Sequence, residues 1–293
     1  MKLATFRHGG KVGLGVVESG DGSPAIRDLR GAEDIAGDMI ALMNGGESAL
    51  DQLRTAAADA PAIALDEVEL LAPVLNPGKI LAIGLNYADH IKESGMGTPE
   101  HQIWFNKQRT CVNGPYADIN MPAVSDKLDF EAEMVTVIGK TCKHVPRERA
   151  HEVVFGFTCG NDVSVRDWQL RTPTMTIGKS FDTHGPTGPW IVTPDELEDC
   201  HNVGFICTVN GEEKQRSNTK HLVFDVYDQI VELTKAFTLE PGDLIFTGTS
   251  GGVGVAKKPP EFLEVGDVVR IEFDGIGHIE NRVARENAET RIG

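Results

Sequence analysis

Two glutamates, Glu131 and Glu133, open an apolar run that ends at Ile138. Because successive side chains of a β-strand point to opposite faces, both carboxylates fall on the same face. Apart from Thr136, the remaining residues of both faces are apolar, so the run predicts a buried strand. Two carboxylates side by side in such a strand repel each other and lose hydration unless a cation compensates. The alternative is that the strand end is exposed and the acids are ordinary surface groups.

A third acidic residue, Asp162, lies in a second apolar, strand-like run over residues 156–165. Three carboxylates supply only oxygen ligands, which favours Mg²⁺, Mn²⁺ or Ca²⁺ over Zn²⁺, an ion that prefers His and Cys. Mg²⁺ keeps several waters in proteins, so positions would remain open for a chelating substrate. The pattern predicts one catalytic Mg²⁺ or Mn²⁺ ion per chain, with Ca²⁺ as a further option.

His90 and Glu93 are three residues apart and would share one face of a helical turn, where the carboxylate could orient the imidazole as a general base. An isolated pair of this kind is usually an ordinary surface pair. Lys179 has two interpretations as well. It is either a surface lysine or, beside three carboxylates and a cation, a protonated group that stabilises a developing enolate.

Arg166 and Gln169 are also three residues apart, which predicts a short helical turn. Their side chains could donate hydrogen bonds to the carboxylate tail of a substrate. The alternative is that Arg166 pairs with Asp167 or Asp182, and the sequence does not separate these two interpretations.

Over roughly Lys79 to Val283 the chain resembles the fumarylacetoacetate hydrolase superfamily. The resemblance rests on an ordered series of motifs: GLNYxxHxxE (84–93), DFExE (129–133), GNDVSxRDxQ (160–169), GKSFD (178–182), PGDLIFTGT (241–249), GVG (252–254) and GIGHIEN (275–281). One departure is Ser250, where many relatives have proline, a change that relaxes this loop.

The resemblance implies a mixed β-sandwich or roll, a homodimer and a catabolic enzyme for small dicarbonyl and 2-keto acids. It also implies roles for individual residues: metal ligands Glu131, Glu133 and Asp162; a water-activating pair His90 and Glu93; Lys179 in the same pocket; and Arg166, Gln169 and Thr249 beside the substrate.

The function expected first is hydrolytic cleavage of a C–C bond in a 2,4-diketo acid, such as an acylpyruvate or a fumarylacetoacetate-like compound. The cation would chelate the substrate, and His90 with Glu93 would activate the attacking water. The alternatives use the same enolate: oxaloacetate decarboxylation, or isomerisation or hydration of a dienoate or of a sugar-derived keto acid. A non-enzymatic relative that binds a metal and a small molecule is the third hypothesis.

The elements that must position these residues indicate an α+β, strand-dominated fold. Residues 1–72 predict a small N-terminal domain with strands near Lys2–Phe6 and Val12–Val17 and a helix near Ser48–Ala57, and residues 73–293 predict the catalytic domain. Further strands are expected over residues 79–84, 133–139, 204–211, 243–248 and 267–273, and a long helix over Lys220–Phe237.

Composition excludes some classes of protein. The formal net charge of −16 over 293 residues argues against a nucleic-acid partner, whose phosphates need clustered Lys and Arg. The five cysteines form no C-x-x-C pair, so neither a disulfide framework nor a zinc ribbon is expected. No run of about 18 apolar residues occurs, so membrane insertion is not expected. These features lead to an expectation of cytoplasmic localisation.

Overall fold

The protein is described by a computed structural model that covers residues 1–18, 24–32, 37–95 and 97–292. Strands dominate its secondary structure. They are β1 Lys2–His8, β2 Lys11–Glu18, β3 Ala25–Asp28, β4 Ala62–Ala64, β5 Glu69–Leu70, β6 Ile80–Gly84, β7 Ile103–Lys107, β8 Val112–Asn113, β9 Ile119–Met121, β10 Leu128–Asp129, β11 Ala132–Ile138, β12 Val154–Asn161, β13 Ser164–Val165, β14 Gly185–Val192, β15 Gly204–Val209, β16 Glu212–Asn218, β17 Leu244–Phe246, β18 Val268–Phe273 and β19 Gly277–Arg285.

The described residues form fewer helices than strands. The α-helices are α1 Met39–Asn44, α2 Gly46–Asp59, α3 Ala88–Ser94, α4 Arg166–Gln169 and α5 Val226–Ala236. The 3₁₀ helices span Leu65–Glu67, Arg109–Cys111, Arg147–Val153, Pro194–Glu196, Thr219–His221 and Gly254–Ala256. The expected strand-dominated α+β class is therefore confirmed. No helix of the described residues is long and apolar enough to cross a membrane.

Most strands belong to one mixed sheet in the order β4-β3-β2-β1-β14-β12-β11-β17-β6-β7, with β5 beside β1 and β8 beside β14. A second sheet has the order β16-β15-β18-β19-β9, and β10 pairs with β13. Most neighbours are antiparallel, but three pairs are parallel: β17 with β6, β14 with β8, and β19 with β9. These mixed sheets agree with the expected sandwich or roll.

The central strand β11 lies between β12 and β17, and all of its residues are buried. Its two faces pack into different hydrophobic clusters. Met134 and Ile138 belong to one cluster, and Val135 and Val137 belong to the other. The expectation that both faces of this strand are buried is confirmed, so a charged side chain on β11 has no direct access to bulk water.

The N-terminal strands join the same sheet, because Lys2 of β1 pairs with Val192 of β14. The two strands predicted here lie within β1 and β2, and the predicted helix lies within α2. The division of the chain at residues 72 and 73 stays a prediction.

The helix expected over Lys220–Phe237 is too long. Helix α5 begins at Val226, because the Asp225 side chain accepts hydrogen bonds from the first turn in a capping box with Asp228. The preceding segment is held in another conformation, since the Val223 N–H donates to the carbonyl of Asn86 at 2.8 Å. Apolar periodicity continued across this segment, but the tertiary hydrogen bond prevented helix formation there.

Candidate functional site

The three predicted carboxylates come together. Glu131 immediately precedes β11, Glu133 lies on it, and Asp162 follows β12. The register of this antiparallel pair places Ala132 opposite Asn161, which brings the two strand ends side by side. Glu131, Glu133 and Asp162 are all buried, and one carboxylate oxygen from each lies within 4.8 Å of the others.

Arg166 forms ion pairs with two carboxylates. Its Nε lies 2.8 Å from Asp129 Oδ2, and its Nη1 lies 2.7 Å from Glu131 Oε1. Neither Asp167 nor Asp182 pairs with it, so that alternative is wrong. The expected α4 turn does form, and Arg166 Nη1 also donates to Gln169 Oε1 at 2.9 Å.

Two buried lysines complete the ionic network. The Lys179 ammonium bonds to Glu131 Oε2 at 2.8 Å and to Asp162 Oδ2 at 2.9 Å, and Lys107 bonds to Asp162 Oδ1 at 2.6 Å. Lys179 is 1% exposed, so it is not the surface lysine of the alternative interpretation. Burial opposes ionisation of Glu131, but Lys179 and Arg166 outweigh it and hold the pKa of this carboxyl at about 2.

Glu133 is the exception in this network, because it forms no ion pair within the described part of the chain. Its Oε2 accepts a hydrogen bond from the Gly248 N–H at 2.7 Å. Burial, followed by the negative charges of Asp162 and Glu131, raises the pKa of Glu133 well above its ordinary value. A buried carboxylate under this repulsion is the group that most needs a cation.

The donor set fits a hard divalent ion. When Glu133 is ionised, as a metal ligand must be, it and the residues in ionic contact at this site comprise four carboxylates and three cations, which leaves one negative charge unmatched (four minus three). The candidate ligands of the ion are oxygen atoms only, as Mg²⁺ and Mn²⁺ prefer. Glu131, Glu133 and Asp162 are the residues that would hold it.

His90 and Glu93 share one face of α3, as expected. His90 Nδ1 lies 3.5 Å from Glu93 Oε2, and this buried nitrogen has no hydrogen-bond partner within the described residues. Glu93 also accepts the Gly252 N–H at 3.0 Å, which ties α3 to the glycine-rich loop. His90 is near enough to the carboxylates for its charge to lower the pKa of Glu131.

Thr249 lies beside the carboxylates but is occupied by protein contacts. Its hydroxyl donates to the Ala132 carbonyl at 3.0 Å and accepts from Gln215 Nε2 at 2.8 Å. Gln215 also donates to the carbonyl of Ser250 at 3.1 Å, so this loop remains anchored without the proline of many relatives.

Sequence reasoning missed several residues of this site. Lys107 lies on β7 and Gln215 on β16, and no motif or spacing in the sequence marks either residue as part of a site. Asp129 belongs to a quoted motif, but its role as the partner of Arg166 was not foreseen. Tyr87 is fully buried, its hydroxyl has no hydrogen-bond partner within the described residues, and burial and the charge of Glu133 raise its pKa.

The strand-dominated fold and the buried cluster of three carboxylates agree with the fumarylacetoacetate hydrolase superfamily that the motifs resemble. A family model described as fumarylacetoacetate (FAA) hydrolase C-terminal matches residues 79–284, and one described as Rv2993c-like, N-terminal matches residues 1–73. The chain belongs to the fumarylacetoacetate hydrolase family, and the resemblance found in its motifs is confirmed.

Relatives of this chain include tautomerases and hydrolases. Oxaloacetate tautomerase FAHD2A, mitochondrial, from Homo sapiens is 41% identical over 288 residues, which cover 97% of this chain and 91% of the relative. Fumarylacetoacetate hydrolase from Exiguobacterium antarcticum has a TM-score of 0.86 at 36% identity, with 98% and 100% of the two chains covered. Maleylpyruvate hydrolase from Sphingobium sp. SYK-6, solved with manganese(II) ion and pyruvate, has a TM-score of 0.82 at 32% identity and the same coverage.

The expectation of cytoplasmic localisation is wrong. The human, rat and bovine relatives are named as mitochondrial proteins. The expectation rested on cysteine usage and on the lack of a long apolar run. These properties do not identify a compartment, because cysteines can stay reduced in more than one.

Proposed function

We propose that this protein interconverts the enol and keto forms of a small 2-oxo dicarboxylate such as oxaloacetate, with a divalent cation held by Glu131, Glu133 and Asp162. The observation that carries the proposal is the buried carboxylate cluster, with its one unmatched negative charge, next to the proton-carrying pair His90 and Glu93. The tautomerase named among the relatives covers nearly the whole chain and supports this choice.

When bound, Mg²⁺ or Mn²⁺ would supply Lewis acidity that polarises the 2-oxo group and makes the neighbouring C–H acidic. The three carboxylate ligands favour these ions over Zn²⁺, and Ca²⁺ remains a further candidate. A charge of +2 added to the unmatched −1 leaves the site with +1. A site of positive charge favours an anionic substrate over a neutral one.

His90 is the proposed proton carrier. In conversion from enol to keto, the enol hydroxyl loses its proton to solvent and C3 receives one from His90, so no redox partner is needed. Glu93 would orient the imidazole, which takes up a proton from solvent after each transfer. The 3.5 Å separation of the two side chains is loose, as is common before a substrate is bound.

Lys179 is the proposed stabiliser of the enolate oxygen. Its ammonium already bridges Glu131 and Asp162, so it lies at the centre of the site without access to bulk water. A fixed charge in such a position needs no reorganisation when negative charge develops on the substrate.

Arg166, Gln169 and Thr249 are the proposed substrate contacts. The Nη2 group of Arg166 is buried and has no hydrogen-bond partner within the described residues, so it can donate to a substrate carboxylate. Gln169 orients the guanidinium through Nη1. The Thr249 hydroxyl would donate to the substrate only after its present hydrogen bond to the Ala132 carbonyl breaks. Otherwise Thr249 would act through the shape of its loop.

Hydrolysis of a 2,4-diketo acid is the second candidate. The paired His90 and Glu93 favour hydrolysis, because together they could activate water. A reaction that only stabilises an enolate needs the cation and Lys179 but no such base. The structural similarity to a maleylpyruvate hydrolase supports it too. The homodimer and the catabolic role stay predictions.

One comparison separates the two functions. A single Mn²⁺-loaded preparation is assayed for loss of the ultraviolet absorbance of enol oxaloacetate and for pyruvate release from an acylpyruvate. The proposal expects the larger kcat/KM for the enol. A larger kcat/KM for pyruvate release would favour the hydrolase, and enol decay no faster than in buffer would reject the proposed function.

A further inference from the structure

Lys107, the last residue of β7, has a fully buried ammonium. It donates to Asp162 Oδ1 at 2.6 Å and also to the main-chain carbonyl oxygen of Lys179. One nitrogen atom therefore joins a proposed metal ligand to the backbone of the proposed enolate stabiliser.

Neutralisation of Asp162 does not by itself explain a second buried lysine. The other oxygen of this carboxylate, Oδ2, already accepts the Lys179 ammonium at 2.9 Å. Burial of a further ammonium costs hydration energy. The hydrogen bond from Lys107 to the uncharged main-chain carbonyl of Lys179 does not neutralise Asp162 further, but it fixes the position of the Lys179 backbone.

The segment that carries Lys179 depends on such bonds, because it is a turn outside any helix or strand. The end of β7 holds it at two adjacent points. Lys107 donates to the carbonyl of Lys179, and the Gln108 N–H donates to Ser180 Oγ at 3.0 Å. The place of the Lys179 ammonium is thus set by the edge of the main sheet.

We propose that Lys107 is a positioning residue for this site, which fixes Asp162 for the cation and the Lys179 backbone for the substrate. With Oδ1 of Asp162 held by Lys107, Oδ2 stays on the side shared with Glu131, where Lys179 bridges the two carboxylates. This inference rests on the metal site of the proposed function.

The test measures Mn²⁺ affinity of the purified protein by electron paramagnetic resonance, without any substrate. Lys107→Met keeps the length of the side chain and removes its charge and donors. Partners of this kind, which orient a metal ligand, are worth about 10- to 100-fold in affinity, so the Kd for Mn²⁺ should rise by about that factor. At saturating Mn²⁺, kcat should still be about 10-fold or more lower, with less change in KM, because the Lys179 turn has lost its anchor.

Lys107→Arg covers the case in which the methionine variant does not fold. Arginine keeps the charge, but its larger planar head cannot place one donor between the two oxygens. We expect weakened Mn²⁺ binding here as well. Mn²⁺ affinity equal to that of the unmodified protein would overturn the proposal, since any buried cation would then suffice.

Lys79→Met is the matched control. Lys79 also pairs with a fully buried aspartate, Asp243 at 2.9 Å, but makes no contact with the carboxylate site. The Lys79→Met variant should be less stable than the unmodified protein and keep the same affinity for Mn²⁺. An equal loss of affinity in both methionine variants would show general destabilisation and overturn the positioning role. Absence of Mn²⁺ binding in the unmodified protein would instead refute the proposed function itself.

Discussion

Glu133→Gln should stabilise the metal-free protein and nearly abolish its response to Mn²⁺. The amide has the same shape as the carboxyl group and can still accept the Gly248 N–H. It replaces a carboxyl group whose ionisation is opposed in the folded protein by burial and by the charges of Asp162 and Glu131, whereas the same group ionises freely in the unfolded chain. Relief of this desolvation and repulsion should add about 1–3 kcal/mol to the free energy of unfolding in EDTA.

The response to Mn²⁺ follows from the lost ligand charge. Two unit charges about 4 Å apart attract by about 4 kcal/mol at an effective dielectric constant of about 20, so the Kd should rise at least about 100-fold. With Mn²⁺ at about 100 times its original Kd, the unmodified protein gains about 2.7 kcal/mol of stability. At that concentration the variant gains only about 0.4 kcal/mol.

Urea unfolding in EDTA measures the free energy of unfolding of the metal-free protein, and urea unfolding in Mn²⁺ measures the stability that the ion adds. Asp243→Asn is the control, because Asp243 is equally buried but pairs with Lys79. It should lose about 1–3 kcal/mol in EDTA, because its hydrogen bonds are broken, and keep the full Mn²⁺ increment. A glutamine variant that is less stable than the unmodified protein in EDTA, or that keeps the full increment, would refute the reasoning about Glu133.

Three further predictions concern single side chains. His90→Ala should lower kcat for enol conversion by about 10²- to 10⁴-fold with the Kd for Mn²⁺ unchanged, and an unchanged kcat would remove His90 from proton transfer. Burial lowers the pKa of His184 from 6.5 to about 3. Between these two pH values the unfolded chain binds a proton that the folded protein does not, so the folded protein becomes less stable as pH falls. His184→Gln should therefore lose about 2 kcal/mol less than the unmodified protein between about pH 7.5 and about pH 5 in urea titrations, and equal losses would contradict this. Arg166→Met leaves Asp129 and Glu131 without their shared partner and should cost about 3–5 kcal/mol in EDTA, a loss that Mn²⁺ partly restores if the site is ionic as described.

The sequence alone predicted the parts of the site that obey a local rule. Alternation along the apolar run predicted a buried strand with both glutamates on one face, and Glu133 lies on β11 with Glu131 directly before it. Spacing placed His90 and Glu93 on one helical face. The ordered motifs then indicated the family. Each inference needed only residues that are close in the chain.

What could not be predicted depends on contacts between distant segments. Lys107 and Asp162 are 55 positions apart, and no pattern around Lys107 distinguishes it from an exposed lysine at a strand end. Helix α5 begins late because Asn86, far along the chain, holds Val223. Asp129 could not be foreseen as a partner of Arg166, because it approaches through the pairing of β10 with β13.

The most direct test of the account is the rate of enol oxaloacetate conversion by one protein preparation in Mn²⁺ and in EDTA, beside Glu133→Gln in Mn²⁺. The account predicts rapid loss of enol absorbance only for the unmodified protein with Mn²⁺, restored after EDTA treatment by added Mn²⁺ or Mg²⁺. Undiminished conversion in EDTA, or by the glutamine variant, would contradict a catalytic cation held by these three carboxylates.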